Sequence, residues 1–303
     1  MVHSIIPFLT FLPPVIAAIA PSGPYQRPLK HPKNQHENFI ASSIFGPYQH
    51  EVLGFEEPVA LKPSIDNGVN PFRSWATVVD CGDIVNTPFD KHLALKQLEN
   101  GMSSINSRRP KNDTEGKAIR AISIGGDHTI TKLGGGLSKY TDVNHGTMLH
   151  IAHEEGLLSN HSNMHLGTRC PLMDQHFDLD NDLRCGFKYI RAKELDKLGI
   201  EEVVRRIVDT VGDEYVYLSV DIDVLDPAYA PATGTIEPGG WTTRELLQII
   251  GGLSKAGLKI VGSDIVEFTP VYDNSAETTG IVAGEIIYEI LQWMVHVPVT
   301  PRK

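Results

Sequence analysis

Asp221 and Asp223 stand two residues apart in Tyr217-Leu-Ser-Val-Asp221-Ile-Asp223-Val-Leu-Asp226-Pro227, where a β-branched apolar run meets a turn signal. On a strand, residues two apart share a face, so these carboxylates lie side by side and repel unless a cation sits between them. Hard and borderline divalent metals take such oxygen ligands. Taken alone, the pair reads more simply as a strand end whose aspartates are solvated or cap the next turn. A second strand end strengthens the metal reading. In Ser123-Ile-Gly125-Gly126-Asp127-His128-Thr129 the glycines let the backbone turn sharply and deliver His128, a common metal-ligand type, to the same sheet edge. Asp127 is expected there as a buried supporting or turn-capping group rather than a ligand.

These residues need a sheet behind them. The run 74–83 is β-branched and enters a Gly-Asp turn, 89–104 carries apolar residues at helical spacing, and 118–124 is a strand before the Gly-Gly turn. Runs 216–223 and 259–266 are further strands and 186–190 a shorter one, with helical patterns over 193–210, 241–255 and 276–294. Strands alternating with helices, and apolar on both faces, predict an α/β protein whose mainly parallel sheet is covered by helices on each side. In such a sheet functional groups gather at the carboxyl ends of strands.

The composition of the 303-residue chain, 41% hydrophobic and 21% charged, excludes disorder, collagen and coiled coil. Its formal charge of −10, with no long basic run, argues against a nucleic-acid partner and is compatible with a cationic small molecule. Cys81, Cys170 and Cys185 are too sparse for a disulfide framework. Residues 1–20 are apolar and end in Ala17-Ala-Ile-Ala20, which reads as a signal peptide and hence predicts secretion; an apolar leader on a cytoplasmic protein is the alternative. The run is short for a membrane span and holds Pro13-Pro14, so no membrane association is expected after leader removal. Residues 21–70, rich in Pro, His, Asn and Gln, are expected to be irregular, and 71–303 to form the α/β domain.

Four strings carry a family resemblance. The turn 125–129, the run 219–227, the following Pro231-Ala-Thr-Gly-Thr235-Ile-Glu-Pro-Gly-Gly240, and Asp264-Ile-Val-Glu267-Phe-Thr-Pro-Val-Tyr272-Asp273 together resemble the arginase/agmatinase (ureohydrolase) family, with the nearest likeness to fungal agmatinases. Asn144-His145-Gly146-Thr147 fits the same pattern, and the resemblance covers roughly residues 71–297. It implies a three-layer αβα fold with a binuclear Mn2+ centre. In the family that centre activates a bridging water for attack on a guanidinium carbon, releasing urea and an amine; with agmatine the amine is putrescine, a polyamine. Neutral-pH hydrolysis of so poor an electrophile needs a lowered water pKa. By resemblance His128 binds one manganese, Asp221 bridges both and Asp223 binds the other. Glu267 receives the guanidinium, for which a carboxylate is the natural bidentate partner. His145 is the proton shuttle or orienting histidine by resemblance, and from its own residues equally a loop histidine bonded to backbone.

The chain also departs from the family. The middle motif, a strand ending Asp-Ala-His-x-Asp between the Gly-Gly-Asp-His turn and the Asn-His-Gly-Thr loop, is absent, and with it three ligands. Thr131-Lys132-Leu133 passes directly into Gly134-Gly-Gly-Leu137. A first strand before Trp75 is also missing, with Phe45-Gly46-Pro47 a candidate remnant. One or two strands are therefore expected to be lacking. Losing an interior strand leaves unpaired backbone groups unless the sheet re-pairs.

Other segments offer little replacement. Asp174-Gln-His176-Phe-Asp178 has the right spacing but polar flanks, and His150, His153 and Glu154 share a helical face that could hold zinc. His161 and His165 read as loop residues. His128, Asp221 and Asp223 are three ligands where two metals want about four to six each. One weakly held ion is the most expected, and at least one aspartate should have a raised pKa. Two functions stand open: an agmatinase-like hydrolase of a guanidino substrate, impaired in this form, or a non-catalytic ureohydrolase-like protein that binds a guanidino compound or a partner chain. A homo-oligomer is compatible with either.

Overall fold

In the computed structural model, residues 68–87, 89–108, 110, 118–127, 146–172 and 175–300 are described, with 15–21 described by backbone alone. Along them run β1 (Val15–Pro21), β2 (Ala76–Asp83), α1 (Lys91–Asn106), β3 (Arg120–Ile124), α2 (Met148–Glu154), β4 (Asn163–Thr168), α3 (Gln175–Arg184), β5 (Phe187–Arg191), α4 (Leu195–Val211), β6 (Tyr215–Asp221), α5 (Thr243–Lys255), β7 (Lys259–Val266) and α6 (Thr278–His296). One sheet has the order β2-β1-β3-β7-β6, and β4 pairs with β5 in a second.

Neighbouring residues on a strand point to opposite faces, and the cores follow that rule. On β3, Ala121 packs with Met102 and Ile105 of α1, while Ile122 joins the opposite core with Ile249 of α5 and Ile286 and Ile290 of α6. On β7, Val266 packs with Leu95, Leu98, Met148 and Ile151 of α1 and α2, and Ile265 belongs to the core under α4, α5 and α6. The result is the expected three-layer αβα arrangement. A capping box starts α5: Thr242 Oγ1 accepts from the Glu245 N–H at 3.2 Å, and the Thr242 N–H donates to the Glu245 carboxylate at 2.7 Å.

Three elements differ from expectation. Val15–Pro21, within and just past the expected leader, lies antiparallel between β2 and β3, pairing Ala18 with both Val79 and Ala121. β3–β7, β7–β6 and β4–β5 are all parallel, so β1 is the one antiparallel strand among those described. Residues 163–168, read as loop, form β4, and 175–184, read as a polar flank, form α3. Both are short and half-polar, so neither shows apolar periodicity.

The sheet is interrupted. Among the described residues β6 pairs with β7 alone and β4 with β5 alone. Between β6 and β4 lies a cavity of about 610 Å³, lined by Leu218 and Val220 of β6, Met164 and Leu166 of β4, Ile207 of α4 and Ile249 of α5. The two strips meet again at their carboxyl ends. Gly167, at φ +74°, lies so close to Val224 that a Cβ would come within 2.5 Å of its Cγ2. Among the described residues no helix is long and apolar enough to cross a membrane.

Candidate metal and substrate site

Asp221 ends β6 and caps the turn of 3-10 helix Ile222–Val224, its Oδ1 accepting from the Asp223 N–H at 3.1 Å. The capping and metal readings of this pair are therefore not exclusive. Burial pushes the Asp221 carboxyl well above the usual carboxylate range, and the charges of Asp223 and Glu267 add to it. Asp223 is raised too, first by burial, with the Asp221 hydrogen bond and Arg169 pulling it back. The expected rise is present, but desolvation leads and mutual repulsion follows.

Glu267 is the first residue after β7 and adopts φ +58°, a left-handed conformation that is costly away from glycine. Its N–H donates to the Gly126 carbonyl at 2.7 Å, which ties the exit of β7 to the Gly-Gly turn after β3. Burial first, then Asp127 and Asp223, raise its carboxyl to about 7. Gly234 leans on the same group, with a Cβ there placed 3.6 Å from Glu267 Oε2. Asp127, Asp221, Asp223 and Glu267 all line this cavity, at its carboxyl-terminal end. Asp127 is exposed, not buried as expected, because it follows the turn rather than packing beneath it.

Asp226 has a different task. Its Oδ1 accepts from the Ala228 N–H at 3.0 Å and its Oδ2 from the Gly239 N–H at 2.7 Å, closing the 226–240 loop. Those backbone donors hold its carboxyl below the usual range. Arg169, which sequence reasoning missed, spans from the end of β4 to this loop, donating to the carbonyls of Asp223 and Glu237. The only signal was an arginine following the Gly-Thr pair, legible as a site residue only once 163–168 is recognised as a strand.

His128 and His145 lie outside the described residues. The zinc grouping does not assemble: His150 Nδ1 sits 3.1 Å from Asn181 Oδ1, and Glu154 is paired with Arg184 at 2.6 Å. Asp174 is outside the described residues, and His176 is exposed on α3. His165 is on a strand rather than in a loop, stacked on Phe187 with ring centroids 4.2 Å apart.

Comparison with known proteins adds to this geometry. The arginase family model matches residues 137–292. A provisionally named agmatinase 1 of Schizosaccharomyces pombe is 45% identical over 267 residues, covering 76% of this chain and 67% of its own length. That alignment is longer than the stretch of this chain it spans, as an internal segment lacking here would make it. The agmatinase of Salmonella paratyphi B is 34% identical over 239 residues, with coverages of 72% and 71%. Among solved structures, proclavaminate amidino hydrolase from Streptomyces clavuligerus aligns with TM-score 0.61 at 30% identity, covering 72% of this chain and 76% of that one. The agmatine ureohydrolase of Thermoplasma volcanium gives 0.61 at 25%, covering 86% and 84%. The chain spans about two thirds of the length of the S. pombe relative.

Asp221 and Asp223 suit part of the ligand shell of one hard divalent ion. They do not amount to two shells: among the described residues no group of three or more His, Cys, Asp or Glu is placed to hold a metal. The described residues therefore do not make up a binuclear centre.

Proposed function

Because the chain belongs to the arginase family, we propose that it is an agmatinase-type ureohydrolase by descent, acting on a cationic guanidino compound such as agmatine, with hydrolysis strongly impaired in this form. The observation that carries the reading is the convergence of Asp221, Asp223 and Glu267 on one cavity end from the adjacent strands β6 and β7. Asp221 and Asp223, with His128, are the groups that would hold a manganese ion. Such an ion would supply a lowered water pKa.

The chain's own residues do the rest. Glu267 offers its two oxygens to the two parallel N–H groups of a guanidinium, and the incoming positive charge draws its carboxyl back to the ionised form. The backbone bond to Gly126 fixes the direction from which it does so. His145 serves as proton shuttle to the departing amine. Impairment follows from the ligand count, which stays short of two ions.

The test is urea release from agmatine with added Mn2+. The expected rate is at least a thousandfold below that of an intact agmatinase assayed alongside, with less than one manganese retained per chain by elemental analysis. A normal rate with two retained ions would overturn the impairment. Agmatine binding without turnover, lost in Glu267→Gln, would favour the non-catalytic binding reading.

A further inference from the structure

The cavity beside β6 asks for an occupant of a particular shape. At about 610 Å³, and partly open to solvent, it is a cleft far larger than the small voids that packed interiors leave. Both long sides are outer strands: among the described residues β6 ends the order of its sheet and β4 has β5 as its paired strand. An edge is a row of backbone donors and acceptors, and one further strand satisfies it. One wall is apolar, formed by Ile207 and Val211 of α4 and Leu246, Ile249, Ile250 and Leu253 of α5.

The flanking strand sets the pattern of what would fit. Val216 and Val220 belong to the core under α4 and α5. Tyr217 turns the other way, its hydroxyl donating to Asp264 at 2.9 Å. A neighbour running alongside β6 would repeat this alternation, apolar toward the helices and polar toward the Tyr217 face. The carboxyl end is acidic, with Asp221, Asp223, Glu237 and Glu267 lining it. Arg169, the basic side chain there, already donates to backbone carbonyls.

We infer that the gap between β6 and β4 is a binding site for one extended peptide segment, lying parallel to β6, apolar at alternate positions and basic where it reaches Asp221. Main-chain hydrogen bonds to the two edges give affinity, and the apolar wall and the acidic end give register and direction. β6 has seven residues, which sets the length of the occupant at six or seven. The inference does not depend on hydrolase activity.

The test uses the full chain and a synthetic peptide, acetyl-Val-Thr-Val-Ser-Val-Arg-amide, with a copy N-methylated at alternate residues and a copy ending in Glu. Amide hydrogen exchange over 163–168 and 215–221 reads occupancy. The expected result is at least tenfold slower exchange at the gap-facing amides with the first peptide, little protection with the methylated copy, and at least tenfold weaker binding of the Glu copy. Equal protection by the methylated peptide would reduce the site to a greasy pocket and overturn the inference. So would no protection at saturating peptide, or gap-facing amides already slow in the free protein, which would mean the chain fills its own gap.

Discussion

The two sides of β6 are built differently. Toward β7 the strand is registered from Tyr215–Lys259 to Asp221–Val266, and Ser263 adds a side-chain bond to the Leu218 carbonyl at 2.6 Å. Toward β4 it faces the cavity, and among the described residues its close approach to the nearest strip is at the carboxyl end, at Gly167 and Arg169. The same contrast appears in the acids. Asp264, on the β7 side, is fully buried and raised, yet accepts from the Tyr217 hydroxyl. Asp221, also raised, has carboxylates for company. Burial alone thus does not mark a functional acid. What separates the two is the kind of neighbour: a hydroxyl donor beside Asp264, further carboxylates beside Asp221.

The largest effect expected from this contrast is in packing. Ile260, on β7, is fully buried in the main core, so Ile260→Ala should cost about 3–4 kcal/mol. Leu166→Ala, on the cavity side of β4, should cost about 1 kcal/mol, because space already adjoins it. Urea denaturation measures both, and equal costs would mean the cavity is filled in solution. The next effect concerns the tie between the strips. Gly167→Ala must move Val224 and strain a positive φ, at about 2–3 kcal/mol, while Gly257→Ala, with φ +78° and open space around it, should cost about 1 kcal/mol. A Gly167→Ala chain no less stable than Gly257→Ala would show that the two strips are not in contact.

The same division governs how much was legible in the sequence. Strands β3, β6 and β7 are apolar runs ended by glycine, aspartate and glutamate in turn, and α4, α5 and α6 carry full apolar stripes, so their order and the placement of Asp221, Asp223 and Glu267 were readable. Strand β4 was not, since Asn163 and His165 interrupt its apolar residues and its burial depends on Phe187 and α4 from later in the chain. Nor was β1, because an apolar stretch with small residues suits a leader and a central strand alike. Arg169 and the capping duty of Asp226 rest on backbone carbonyls and N–H groups brought from a distant loop, which side-chain spacing does not encode. The absent middle motif was visible as an omission, where Thr131-Lys132-Leu133 passes directly into Gly134-Gly-Gly-Leu137.

The smallest effect expected is in pH dependence, and it sharpens the contrast between an acid beside a hydroxyl donor and acids beside other carboxylates. The Glu267 carboxyl rises from 4.5 to about 7 on folding, facing Asp127, Asp221 and Asp223 in a half-buried position. Between those values the folded state holds the extra proton, so stability falls as pH rises through the window and the full penalty is present above 7. Glu267→Gln removes the ionisation. The variant should match the parent near pH 4.5 and melt higher at pH 8, by only about 2 °C because solvent still reaches the carboxyl. Thermal melts of both chains across pH 4.5–8 measure it. An advantage of the variant that is constant across this range would show that the Glu267 carboxyl does not rise on folding, and would remove the electrostatic reason for a cationic substrate at this end of the cavity.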